Sequence, residues 1–192
     1  MRILLIALLA STAWYGASRM RGASATRRAL RELGHVAVPR RLADREPEER
    51  DGLALFAFGR VPGSPQYMGS TTPYAERLVV AAWTPTTRAE AADRALRTVA
   101  LGVEGLTWEA DAGGDAVAVG TGTYEANMAR RPAWVLVRDD SARGLTFAYM
   151  AWRRDASREA ALRTLERVAG SFAPALPTAE YLALARARGG VR

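Results

Sequence analysis

The chain has no cysteine, no lysine and a single histidine, His35, in 192 residues. Each absence closes a branch of chemistry. Without cysteine there is no disulfide framework and no thiolate nucleophile, and zinc, haem and iron-sulfur groups lose their usual ligands. With one histidine, placed beside Gly34, no His-based acid–base pair or nucleophile activation can be built within the body of the chain, which excludes triad hydrolysis. The missing lysine removes Schiff-base chemistry and any phosphate-loop lysine. All 27 basic residues are Arg, the usage of a GC-rich bacterial genome. Zero cysteine fits either redox compartment.

Carboxylates remain. Glu104, Glu109, Asp111 and Asp115 gather around the turn Ala112-Gly113-Gly114, but their spacing does not fit the alternating oxygen ligands of a calcium loop. They read as a solvated acidic turn. Gly120-Thr121-Gly122 is half of a dinucleotide fingerprint, yet it sits in a strand pattern with no following helix; close backbone packing or a bulge is the better reading. No catalytic residue, metal or cofactor is expected.

Charge is distributed unevenly. Residues 1 to 41 carry eight Arg (2, 19, 21, 27, 28, 31, 40 and 41) against Glu32, whereas 42 to 192 balance 19 Arg against 19 acids, so the net charge of +7 belongs to the N-terminal part. A nucleic-acid-binding domain needs its own basic face, so no nucleic-acid partner is expected of the neutral body. Ahead of the arginines runs Ile3 to Ser18, 16 residues without a charge. As a helix it would reach about 24 Å against a hydrocarbon core of roughly 30 Å. Leu4, Leu5, Ile6, Leu8 and Leu9 would meet the acyl chains, with Trp14 and Tyr15 at the interface and Arg19 and Arg21 snorkelling to headgroups. This predicts an uncleaved anchor over 1–20; Ala23-Ser24-Ala25 resembles a signal cleavage site, but two arginines intrude before it. The basic excess behind the run predicts a single-pass bacterial inner (or intracytoplasmic) membrane protein with a cytoplasmic body, periplasmic being the alternative.

Residues 21–52 read as a basic juxtamembrane helix and charged linker. Thr26 to Leu33 suits a short helix with Thr26 as N-cap, from which Arg27, Arg28 and Arg31 could reach anionic headgroups or a partner's membrane helices. Pro39 to Gly52 shows no apolar period and reads as a tether.

The folded domain is expected over 53–176, followed by a short peripheral helix and tail over 177–192. Candidate strands are Leu53 to Phe58, Leu78 to Trp83, Ala116 to Tyr124, Ala133 to Arg138 and Leu145 to Trp152, bounded by Gly, Pro and Asp breakers. Two amphipathic helices follow the 3.6-residue period: Arg88 to Leu101, opening on the capping box Thr87-x-x-Glu90 with Ala92, Leu96 and Val99 as its apolar stripe, and Ala156 to Ala169, capped by Asp155 or Ser157. The expected fold is α+β, a central antiparallel β-sheet apolar on both faces and packed by two helices in the order β-β-α-β-β-β-α. Trp83, Trp108, Trp134 and Trp152 read mostly as core.

Strands ending in RRPAWVLVRDD and GLTFAYMAWRRD, followed by SREAALRTLERVAGSF, resemble the C-terminal half of PsbP-like domains over roughly 117 to 172. That family comprises extrinsic accessory subunits of photosystems, built as a central antiparallel sheet between helices. The resemblance implies a non-catalytic subunit docked on a bioenergetic membrane complex. The loop Arg60 to Tyr74 carries Tyr67, Met68 and Tyr74 as candidate interface residues. The expected function is a membrane-anchored accessory subunit of a photosynthetic or respiratory assembly, with anionic lipids and integral membrane subunits as partners; the alternative is an extracytoplasmic small-molecule or lipid-binding domain.

Overall fold

Two eight-residue strands in which every residue is buried, Glu76–Trp83 and Leu145–Trp152, form the middle of the molecule. A strand buried on both faces needs cover on both, and the rest of the chain supplies it. In this computed structural model the described residues are 25–45, 47–60, 74–109, 117–126 and 129–189. They form α1 (25–33), β1 (Gly34–His35), β2 (Ala43–Asp44), β3 (Glu48–Arg50), β4 (Leu53–Arg60), β5 (Glu76–Trp83), α2 (Arg88–Val99), β6 (Val103–Trp108), β7 (Ala118–Ala126), β8 (Ala129–Asp140), β9 (Leu145–Trp152), α3 (Arg158–Gly170), β10 (Ala173–Pro174) and α4 (Thr178–Gly189). The main sheet is antiparallel throughout, in the order β2-β4-β5-β9-β8-β7-β6, with β3 also on the outer edge of β4.

Strand alternation divides the core in two. Phe56, Phe58, Leu78, Val80, Leu136, Phe147 and Tyr149 face α1, α3 and α4. Leu55, Val79, Ala81, Trp83, Val135, Ala148 and Met150 face α2. The α+β antiparallel architecture is therefore as expected, but the main sheet has eight strands among the described residues where five were expected. The additional ones are β2 and β3, short strands on the outer edge of β4, and β6, which lies in the chain between α2 and the β7–β9 meander. The candidate strands reappear as β4, β5, β7, β8 and β9; β4, β5 and β8 are two or more residues longer at an end, and β7 is shifted two residues toward the C-terminus.

The helix faces follow from burial. On α2 the buried stripe is Ala91, Ala95 and Val99, one residue before the expected Ala92 and Leu96. Its capping box does not form: the Thr87 hydroxyl donates to Gly52 O at 2.5 Å, tying the helix entrance to the β3–β4 turn, and Glu90 pairs with Arg94 instead. On α3, Ser157 caps the Ala160 N–H at 3.2 Å, and Ala161, Leu165, Val168 and Ala169 are buried as the period requires.

The helix expected over 26–33 is present as α1, but Pro39 to Gly52 is not a tether: β2 and β3 pair with β4. Leu30, Leu33 and Leu42 are 3%, 0% and 1% exposed, within the same core as α3 and α4. Thr26, expected as an N-cap, lies inside α1, fully buried, and its hydroxyl donates to Arg45 O. The two ends of the chain brace each other: β1 pairs with β10, Leu33 O accepts from the N–H groups of Ala175 and Leu176, and Arg188 pairs with Glu32 at 2.5 Å. Nor is α4 peripheral, because Tyr181, Leu182 and Ala185 are buried and the Tyr181 hydroxyl donates to Glu49 at 2.6 Å. Three leucines spread over thirteen positions are almost wholly buried and, with α3 and α4, cover one face of the sheet.

The Gly120-Thr121-Gly122 segment lies within β7, beside an irregularity in the β6–β7 register between Glu104 and Thr107. A Cβ at Gly122 would come within 2.5 Å of Val103 Cγ1 and 3.0 Å of Glu104 O. Close backbone approach is the reason for this glycine. Gly122→Val is therefore expected to cost about 1–3 kcal/mol by overpacking, read as a lower urea midpoint; an unchanged midpoint would show that β6 yields without penalty.

Candidate functional site

The anchor residues Leu4, Leu5, Ile6, Leu8, Leu9, Trp14 and Tyr15, the basic residues Arg19 and Arg21, and the loop residues Tyr67 and Met68 lie outside the described residues. Among the described residues no helix is long and apolar enough to cross a membrane. Of the tail arginines, Arg28 and Arg31 are exposed on α1. Arg27 turns inward: its Nε lies 2.7 Å from Asp44 Oδ1, its Nη2 donates to Leu42 O at 2.8 Å, and its guanidinium sits 5.5 Å from the Phe58 ring centroid. It is a tertiary clamp and is withdrawn from any headgroup-facing set. Burial pushes the Asp44 carboxyl up, against the pull of Arg27.

Tyr74 is likewise built into the fold. Its ring packs over Gly59, and the guanidinium groups of Arg45 and Arg77 lie 4.7 and 4.8 Å from its centroid. Arg77 itself is 6% exposed. It donates to Val99 O and Leu101 O, the carbonyls at the end of α2, and stacks on Tyr124 at 5.5 Å. The negative pole of the helix thus stands in for a carboxylate. Burial pulls the Arg77 guanidinium below its ordinary value.

One residue earlier, on the opposite face of β5, the pattern inverts. Glu76 is 2% exposed, deep enough that an unpaired carboxylate there would be costly. Sheet register pairs it directly with Arg60 on β4 and with Ala151 on β9, and it shares a face with Tyr149 two residues along. Its carboxylate accepts from Arg41 Nε at 2.7 Å, from Arg41 Nη2, from Arg60 Nε at 3.0 Å and from the Tyr149 hydroxyl. Arg60 Nη2 also reaches Asp155 at 2.8 Å, in the turn that leads to α3. Burial works to raise the Glu76 carboxyl, but the bonds from Arg41, Tyr149 and Arg60 outweigh it and hold it below the usual carboxylate range. The same burial, with Glu76 beside it, pushes the Tyr149 phenol well above its ordinary value, so it stays protonated.

These side chains border a pocket of about 320 Å³, whose remaining wall is Ala151, Ala156, Ala160 and Thr164. Three small alanines leave the space open. The group comes from five separate places: the segment before β2, the end of β4, the start of β5, β9, and the entrance to α3. The arrangement can position and bind through hydrogen-bond donors. Its one buried carboxylate is saturated and offers no free base.

Of the acidic turn, only Glu104 and Glu109 lie among the described residues, Asp111 and Asp115 lying outside them. Glu109 pairs with Arg158 on α3, Nη2 to Oε2 at 2.5 Å, and Glu104 is exposed. Among the described residues no three His, Cys, Asp or Glu side chains gather as a metal-ligating group. Of the tryptophans, Trp83 and Trp152 are core, whereas Trp108 on the outer strand β6 is 42% exposed.

No family model and no curated protein matches the chain. Among solved structures it is similar to LpqN, a protein involved in cell envelope biogenesis of Mycobacterium tuberculosis, at 16% sequence identity over 72% of this chain and 78% of that one, with a TM-score of 0.29.

Proposed function

We propose that the chain is a non-catalytic, membrane-anchored accessory subunit whose body rests against the membrane surface and organises a multisubunit membrane complex. The observation that carries this reading is the folding of residues 25–52 into the core. A linker over 21–52 would have let the body range far from its anchor. Instead, only residues 19 to 24 separate the uncharged run from α1. Whatever conformation those six take, they span at most about 25 Å. The exposed Arg28 and Arg31 of α1 are thereby kept within reach of anionic headgroups or of the membrane helices of a partner. Charge asymmetry supports a cytoplasmic body on a bacterial inner membrane. A photosynthetic or respiratory host belongs to the same proposal through the resemblance to PsbP-like domains, whose expected fold the antiparallel sheet between helices matches.

The full chain is expected to stay with membranes through an alkaline carbonate wash, because burial of the leucines of the apolar run outlasts any loss of headgroup electrostatics. Removing residues 1–20 should release it. In mild detergent the full chain should then migrate with a larger complex, identified by mass spectrometry of co-migrating subunits. A full-length chain that washes off, or one that migrates as a free monomer from native membranes, overturns the proposal.

A further inference from the structure

We propose that the pocket between Arg41, Arg60 and the first turns of α3 binds a phosphate group. The charged wall of the pocket holds two guanidiniums and two carboxylates, and both carboxylates are engaged: Asp155 accepts from Arg60 Nη2 at 2.8 Å and lies 3.5 Å from Arg154 Nε. Glu76, its deepest group, already accepts from two arginines and a tyrosine, so it has little left to give a ligand. Each guanidinium carries five N–H donors. Arg41 commits its Nε and one Nη2 hydrogen to Glu76, and Arg60 commits its Nε to Glu76 and one Nη2 hydrogen to Asp155. The other donors of both have no acceptor among the described residues.

Glu76 also does the positioning. By gripping the Nε edge of both guanidiniums it fixes their planes and leaves Nη groups for a second acceptor. This is the arrangement in which a held arginine recognises an oxyanion with little further loss of side-chain freedom. A carboxylate would be filled by a single fork, whereas a phosphate has oxygens for both guanidiniums at once. Ala151, Ala156 and Ala160 leave room for it, and the Thr164 hydroxyl, which donates to Ala160 O at 2.8 Å, keeps its lone pairs for a hydroxyl of the ligand. The phosphate could belong to a soluble ester or to a lipid headgroup, and the chemistry at the arginines is the same for both.

The test is calorimetric titration of the full chain in neutral detergent with two probes, inorganic phosphate and dihexanoyl phosphatidic acid below its micellar concentration. One-site binding of either probe is expected, weakened roughly tenfold or more in Arg60→Gln and lost in Ala160→Leu, which fills the pocket and leaves every charge in place. Thr164→Leu fills the same space one turn further along and replaces A160L should that variant not fold. Arg97→Ser, an exposed arginine on α2 across the sheet from the pocket, should bind as the wild type does. Binding of inorganic phosphate marks a soluble ligand, and binding of the lipid probe alone marks a headgroup; both support the site. Binding of neither probe, binding that survives the filled pocket, or an equal loss in Arg97→Ser overturns it. Membrane retention in the carbonate wash is unaffected by any of these results, so the accessory role stands or falls separately.

Discussion

A fragment beginning at Leu53 is expected to lose cooperative folding, while one beginning at Ala25 keeps it. The shorter fragment lacks α1 and β1 to β3, and with them Leu30, Leu33 and Leu42, all buried against the sheet and α4. A buried leucine is worth about 2–5 kcal/mol on truncation alone. Three of them approach the whole stability of a domain this size, about 5–15 kcal/mol. The loss goes further, because Phe56, Phe58, Phe172 and Tyr181 would face water and the outer edge of β4 would be bare, an invitation to aggregation. Thermal unfolding followed by near-ultraviolet circular dichroism distinguishes the two fragments. A sharp transition for the fragment from Leu53, within a few degrees of the longer one, would return residues 25–52 to the status of a linker.

Replacing Glu76 by Gln should destabilise the protein by about 3 kcal/mol at neutral pH, because it leaves two guanidiniums facing a neutral amide in a buried setting. The sign with pH follows from the depressed carboxyl. The ionised group contributes stability that is fully present above its ordinary value of 4.5 and is lost as pH falls through the lower folded value. The gap between wild type and E76Q should therefore narrow in acid. Urea unfolding at neutral pH and again at about pH 3 measures it, pH 3 lying below the reference carboxylate range. A gap of the same size at both would mean that shape, and not charge, is what Glu76 supplies.

Legibility in the sequence varied with the kind of signal. The strands β4, β5, β7, β8 and β9 and the helices α2 and α3 announce themselves through runs of β-branched and aromatic residues or a 3.6-residue period between Gly, Pro and Asp breakers. β6 does not. Its sequence, VEGLTW, carries a glutamate and a glycine, since it is an outer strand with an irregular register and most of its side chains exposed. The segment after α1 hid for another reason: β1, β2 and β3 are two or three residues long, too short for any period, and Leu42 is the large apolar side chain buried among the described residues from 36 to 52.

The pocket was illegible on principle. Arg60 and Glu76 are 16 positions apart and Tyr149 is 73 from Glu76, and only the pairing of β5 with both β4 and β9 brings them to one end of one face. Glu76 and Arg77 stand at the edge of a Pro- and Gly-rich loop and look like loop charges. Their opposite environments come from the alternation of a strand, which sends one to the α3 side and the other to the end of α2. Arg27 was misplaced for a similar cause: its helix was foreseen, but its partner Asp44 sits in a two-residue strand that composition does not reveal.

The brace between the two ends of the chain also sets an order of events during synthesis. α1 is among the first elements to leave the ribosome, yet the surface it docks on is completed by β10 and α4, which are made last. Contacts of such long sequence separation close only after the intervening loop entropy has been met. An apolar run ahead of α1 could engage a membrane as soon as it emerges, so on the proposed reading anchoring would precede maturation of the body by the time taken to make β1 through α4. In that interval the leucines of α1 lack their full cover, and α4 acts as the latch that ends their exposure.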